Sequence, residues 1–136
     1  MNRVLFACVH NAGRSKMAAA FFNAAADPAR ARAISAGTQP AARAHPEVVA
    51  AMREVGLDLG DATPTYLSEE LARSADVLVT MGCGEACPLV PGVRRLDWNL
   101  ADPKGESPGR VRAIRDEVRA RVLELIRANG WQREGA

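Results

Sequence analysis

Long hydrophobic runs are missing from this chain of 136 residues. Its apolar segments fall far short of the roughly 20 residues that cross a bilayer, so a membrane-spanning helix is excluded. A basic run is missing too. The 18 Lys and Arg are spread along the chain and nearly balanced by 16 Asp and Glu, so the net charge is only +2 and nothing calls for nucleic acid or a membrane surface. A small anionic substrate needs no more than one local positive pocket. The N-terminus runs directly into a strand-like segment without a signal-peptide layout, so a soluble cytoplasmic protein is expected. No internal repeat or linker is visible, and 48% apolar with 25% charged residues is ordinary globular composition, so one domain spanning residues 1–136 is expected. Cysteine is scarce, at three residues. In a reducing compartment these are not expected to form structural disulfides. Each is a buried apolar side chain, a metal ligand or a redox thiol.

What is present alternates strand with helix. Arg3 to Ala7 (RVLFA) is a short apolar run with β-branched and aromatic members, and it reads as a strand ending at Cys8. Ser15 to Ala26 has strong helix composition and stops before Asp27-Pro28. Ala31 to Gly37 reads as a second strand. Pro46 and Gly56 frame a second helix with Val48, Val49, Met52 and Val55 on one face. Ser68 caps a short helix to about Ser74, and Asp76 to Met81 is an uninterrupted apolar strand of the kind covered on both faces. After a Gly- and Pro-rich loop at 82–92, Val93 to Trp98 reads as a fourth strand. Val111 to Ala128 then shows the period of a long amphipathic helix. This order predicts an α/β fold: a doubly wound four-stranded parallel sheet between helices, in three layers, with the ligand site at the C-terminal ends of the strands.

Residues 8 to 15, CVHNAGRS, fall at such an end, between a strand and a helix. The N–H groups of Val9, His10, Asn11, Ala12 and Gly13 and the first helical turn can converge in front of Cys8 as an anion cradle at a positive dipole end. The same field favours the thiolate, which is the nucleophilic form of cysteine. Arg14 adds a planar fork of donors suited to a tetrahedral oxyanion, and the Ser15 hydroxyl can hydrogen-bond the thiolate. Other phosphate loops fit poorly, because neither a Walker pattern nor a dinucleotide fingerprint occurs.

With CVHNAGRS followed by KMA, the chain resembles the low-molecular-weight tyrosine phosphatases and, within that fold, the arsenate reductases. The resemblance extends through SAG (35–37), VTMGCGEACP (79–88) and DWNLADPKG (97–105). It implies that Cys8 is the nucleophile, that Asn11 holds the shape of the loop, and that Arg14 and Ser15 are partners of the oxyanion and the thiolate.

Cys83 and Cys87 separate the reductases from the phosphatases. A phosphatase needs one cysteine and an acid, whereas two-electron reduction of an oxyanion needs a thiol that forms an adduct, a second that attacks the first, and a third that carries the disulfide away. The resemblance implies the order: Cys8 attacks arsenate, Cys83 attacks Cys8 and expels arsenite, and Cys87 leaves a Cys83–Cys87 disulfide for thioredoxin to reduce. The pair is closer together here than in the best-known thioredoxin-coupled members, and related loops serve enzymes that use mycothiol or bacillithiol, so a low-molecular-weight thiol is the alternative donor. Zinc held by Cys83 and Cys87 would have to recruit Cys8, His10 or His45 to reach four ligands, and two buried structural thiols are a further alternative. No metal is expected in the site.

Protonation of the leaving oxygen calls for a carboxylic acid facing Cys8. Asp97 and Asp102 both qualify by spacing, and the resemblance points to Asp102, in Asp-Pro. His10 can touch the anion or face solvent, His45 sits at a helix start, and Lys104 with Arg110, Arg112, Arg115 and Arg119 reads as a solvated face. Some relatives bind potassium near the loop through a Glu of the first helix. Ala19 stands at that position here, leaving Asn11, Ser35 and Asp61 as the remaining candidate ligands and no tightly bound cofactor expected. The rival enzyme reading is a tyrosine phosphatase whose extra cysteines protect Cys8, although only Trp98 among the scarce aromatics lies near a site loop. An oxyanion-binding regulator is the rival outside catalysis. The chain is expected to act as a monomer, with arsenate as substrate and phosphate or sulfate as analogues.

Overall fold

The computed structural model describes residues 1–82 and 90–133. In chain order its elements are β1 (Asn2–Cys8), α1 (Arg14–Ala25), β2 (Ala31–Gly37), α2 (Pro46–Arg53), α3 (Glu69–Arg73), β3 (Val77–Thr80), β4 (Arg94–Asp97) and α4 (Pro108–Asn129). The four strands form one parallel sheet in the order β2-β1-β3-β4. β1 is therefore central, with Val4 paired to both Ala33 and Val77, and everything from Val4 to Cys8 is buried.

The pleat of β1 divides the core into two layers. Val4, Phe6 and Cys8 join Met17 and Phe22 of α1, Val48 and Met52 of α2, and Ile114, Val118 and Val122 of α4. Leu5 and Ala7 face the other way and meet Leu67, Ala72, Ala75 and Leu78 beneath α3. Helices thus cover both faces, which is why β3 carries no polar alternation and is buried throughout. Among the described residues no helix is long and apolar enough to cross a membrane.

Element ends differ from the sequence reading where capping chemistry decides them. α4 begins at Pro108, three residues before its first buried apolar residue, because the Ser107 hydroxyl accepts from Arg110 N at 3.3 Å and Pro108 occupies the first turn. α2 ends at Arg53, and the chain reaches Gly56 through turns in which Val55 and Gly56 donate to Met52 and Arg53. Asp76 lies outside β3, its carboxylate accepting from Arg3 N at 2.8 Å. Ser68 caps α3 as expected, accepting from Leu71 N.

Arg115 is a correction to the solvated face expected for α4. Only 8% exposed, it donates from Nη1 to Ala51 O at 2.9 Å and to Glu54 Oε1 at 2.8 Å, and from Nε to Asp116. Arg112 reaches the same Glu54 carboxylate, so two turns of α4 clamp the end of α2. Hydrogen bonding from Arg112, reinforced by Arg115 against some desolvation, holds the Glu54 carboxyl down at about 2. Because the folded value is depressed, this contribution to stability is present above the ordinary glutamate range and is lost as pH falls toward 2. Glu54→Gln should therefore lower Tm at neutral pH, and thermal unfolding should show the gap to wild type closing as pH is taken below about 4. An equal gap at both ends of that range would remove Glu54 ionisation as the cause.

Candidate oxyanion site at the end of β1

The loop between β1 and α1 is shaped by its carbonyls. Those of Cys8, Val9, His10, Ala12 and Gly13 accept from the N–H groups of Thr38, Gln39, Ala41, His45 and Met17, at 2.8 to 3.2 Å. Every one of these carbonyls is thereby turned into the surrounding backbone. Among the described residues no N–H from Val9 to Ser15 donates to a backbone carbonyl outside the regular elements, so these donors remain available to an anion at the start of α1. Asn11 makes the turn in a left-handed conformation, φ 49°, which asparagine tolerates better than most residues.

The Asn11 amide is fully oriented. Its Oδ1 accepts from Thr65 N at 2.8 Å, and its Nδ2 donates to Ser15 Oγ at 2.8 Å. Ser15 Oγ stands 2.8 Å from Cys8 Sγ. With Cys8 ionised, the sulfur can only accept, so the serine proton points at it while the oxygen accepts from Asn11. Cys8 is 2% exposed, so any molecule that reaches its sulfur must first enter the loop.

Arg14, 7% exposed, is held from two sides. Its Nη1 donates to Leu100 O at 3.1 Å, and its Nη2 lies 3.8 Å from Asp102 Oδ2. Gly82, at φ 103°, makes room for the guanidinium, since a Cβ there would sit 2.2 Å from Nη1. The loop after β4 closes over the site in the same way. A Cβ on Gly13 would meet Pro103 Cγ at 3.0 Å, which brings the neighbouring Asp102 against the anion loop. Asp102 Oδ1 also accepts from Lys104 N at 3.0 Å.

Asp97 lies elsewhere. Its carboxylate accepts from Thr80 Oγ1 and from Arg95 Nε at the end of β4, and these bonds, Thr80 first, hold it below the ordinary aspartate range. The Asp97 carboxylate is thus committed to Thr80 and Arg95. Of the two carboxylates that spacing left level, only Asp102 approaches Arg14.

His10 and His45 face each other edge to face at 6.0 Å, with His10 Nδ1 3.2 Å from Gln39 O. His45 does more than begin α2: its N–H holds Ala12 O and its ring approaches Gly13. Burial lowers its imidazole below the ordinary value, opposed by Glu47 and Asp102, so it is neutral at pH 7. Trp98 leans on Phe6 with ring centroids 5.7 Å apart, and it belongs to the core edge. Cys83 and Cys87 lie outside the described residues. The sequence reading missed the Leu100 carbonyl, which carries no side-chain signal, and Lys16, whose position beside Ser15 was its only clue.

A Cys8 sulfur at the start of a loop whose N–H groups, among the described residues, meet no backbone carbonyl outside the regular elements, with Arg14 held at its end, defines a phosphatase-type anion loop. The chain belongs to the low molecular weight phosphotyrosine protein phosphatase family, whose model matches residues 3–134. It is 40% identical over 129 residues to a Halobacterium salinarum protein whose name assigns it provisionally to the arsenate reductases, covering 89% of this chain and 88% of that one. The glutaredoxin arsenate reductase of Synechocystis is 33% identical over 129 residues, covering 93% and 97%. Among solved structures, the thioredoxin-dependent arsenate reductase of Corynebacterium glutamicum superposes with a TM-score of 0.79 at 39% identity. That match covers 94% of this chain, which spans 61% of the length of the Corynebacterium protein.

Proposed function

We propose that this chain is an arsenate reductase that works by a thiol-disulfide relay in the cytoplasm. The observation that carries the reading is the buried Cys8 Sγ, hydrogen-bonded to Ser15 and closed in by Arg14, in a chain that also holds a second cysteine pair. Arsenate enters the loop with its oxygens on the free N–H groups and the Arg14 fork. The Cys8 thiolate attacks arsenic, an As–S bond forms, and the oxygen that leaves takes a proton from Asp102 and departs as water. Cys83 then attacks Cys8 Sγ. The S–S bond forms as the As–S bond breaks, and its electron pair stays on arsenic, which leaves as arsenite. Attack by Cys87 on Cys83 frees Cys8 and leaves a Cys83–Cys87 disulfide for thioredoxin to reduce.

The end of the segment after β3 adjoins the anion loop, because Gly82 lies against the Arg14 guanidinium. The arsenate reductases among the chain's relatives support the route as well, one named thioredoxin-dependent and one named a glutaredoxin arsenate reductase.

Arsenate-dependent NADPH oxidation through thioredoxin and its reductase is expected to fall to background in Cys83→Ser and in Cys87→Ser. Full activity in both variants would end the three-thiol relay. A low-molecular-weight thiol donor would spare Cys87→Ser, and mass mapping of disulfides after a single turnover would then show Cys83 paired with that thiol. Hydrolysis of an aryl phosphate does not discriminate, because the same loop serves both reactions.

A further inference from the structure

Lys16 is a half-buried cation that the relay leaves unused. It follows Ser15 on α1, and its Nζ donates to Thr63 O at 2.9 Å. Two residues on, Thr65 N donates to Asn11 Oδ1 at 2.8 Å, and Thr65 O accepts from Gly37 N at 2.8 Å. Residues 63–65 therefore form a strap beneath the anion loop. It is tied at one end by the Lys16 ammonium and at the other by the residue that orients Ser15 toward Cys8.

The residues at this place offer a potassium ion little. Asn11 has both ends of its amide engaged, Ala19 offers no ligand atom, and Asp61 is exposed.

We propose that Lys16 is the built-in cation of the anion loop: its ammonium, anchored on the Thr63 carbonyl, fixes the strap whose Thr65 N–H holds Asn11, and through Asn11 and Ser15 it sets the hydrogen bond offered to Cys8. Lys16 is a positioning residue, acting through the strap and through its field. Desolvation lowers its ammonium below the ordinary lysine value, and the charge of Cys8 pulls it back up. Among the described residues the other charged or titratable groups around the loop include Arg14 of α1, Glu47 of α2, Asp102 and Lys104 after β4, and the His10–His45 pair. The inference rests on Cys8 being the thiolate nucleophile and is indifferent to which oxyanion it attacks.

The test is the rate of iodoacetamide alkylation at Cys8, followed by peptide mass mapping from about pH 5 to about pH 9, in potassium chloride and in tetramethylammonium chloride. Lys16→Met is expected to slow alkylation near neutral pH by about threefold to tenfold and to move the profile to higher pH, with Lys16→Arg close to wild type. Exchanging the salts should change the wild-type rate by less than about twofold. A wild-type rate that rises several-fold in potassium over tetramethylammonium overturns the proposal, as does an unshifted profile in Lys16→Met. Should Lys16→Met fail to fold, the wild-type salt comparison and the Lys16→Arg profile carry the decision. None of these readouts involves arsenate or thioredoxin, so their failure is distinct from failure of the reductase reading.

Discussion

Arg14→Lys is expected to lower kcat/KM for arsenate by about two to three orders of magnitude, the usual cost of losing a preorganised donor to a developing oxyanion. The guanidinium has separate donors for separate tasks. Nη1 is spent on Leu100 O and Nη2 faces Asp102, while the remaining N–H groups lie in the same plane and are held in register for a tetrahedral anion. A lysine ammonium is a point charge on a flexible stem. It can reach the anion or the Leu100 carbonyl, but it cannot span both, and it loses the bidentate geometry that would fix the arsenate oxygens relative to Cys8 Sγ. Charge is conserved, so the variant isolates geometry from net electrostatics. Steady-state kinetics with arsenate, paired with a thermal melt to show that the variant is folded, make the measurement. A loss of less than about tenfold would mean that the fork does not bind the transition state.

Gly37→Ala is expected to be almost as damaging, without changing any group that touches substrate. A Cβ at this last position of β2 would lie 2.5 Å from Val9 O and 2.8 Å from Asn11 N. Both are backbone atoms of the anion loop, so neither can swing aside as a side-chain end would. The loop must move bodily, and it carries Asn11, which orients Ser15, and the N–H groups that would hold the anion. Overpacking of this kind costs about 1 to 3 kcal/mol of stability, and a shift of about 1 Å in a positioned group costs on the order of a hundredfold in rate. Gly109→Ala is the control, because the same methyl group there meets nothing within 4 Å. The expected result is a lower Tm and strongly reduced arsenate turnover in Gly37→Ala, with turnover unchanged and Tm equal or higher in Gly109→Ala, where alanine favours the helix. Wild-type turnover in Gly37→Ala would show that the loop tolerates displacement and that its geometry is not what positions the anion.

Asp97 and Asp102 show where one-dimensional reading stops. They are five residues apart on either side of one loop, and each is a carboxylate in a polar segment. What separates them is who reaches them: Thr80 and Arg95 close off Asp97, whereas Pro103 seated on Gly13 draws Asp102 to Arg14. Arg115 makes the same point for charge. Its i to i+4 neighbours place it beside other arginines of α4, but its depth against α2 is set by the crossing of two helices, and burial demanded the Ala51 carbonyl and Glu54 as partners. Lys16 could be read only as a residue next to Ser15 until Thr63, 47 positions away, appeared at its ammonium.

Local chemistry, by contrast, was legible because it acts over a few residues. The unbroken apolar runs of β1 and β3, the Ser68 cap and the alanine-rich α1 are short-range preferences that survive into the fold. Cys8, Arg14 and Ser15 belong to the same class, since a strand ending at a cysteine and a helix opening on Arg-Ser leave the intervening loop little choice but to curl around an anion. The sequence by itself determined the order of elements, the parallel sheet and the loop able to hold an oxyanion. Only the tertiary structure decided which aspartate approaches Arg14, which carbonyl locks Arg14, and which carbonyl the Lys16 ammonium reaches. Those choices depend on segments 47 to 88 residues apart arriving within hydrogen-bond distance or ionic reach, and no local preference encodes that arrival.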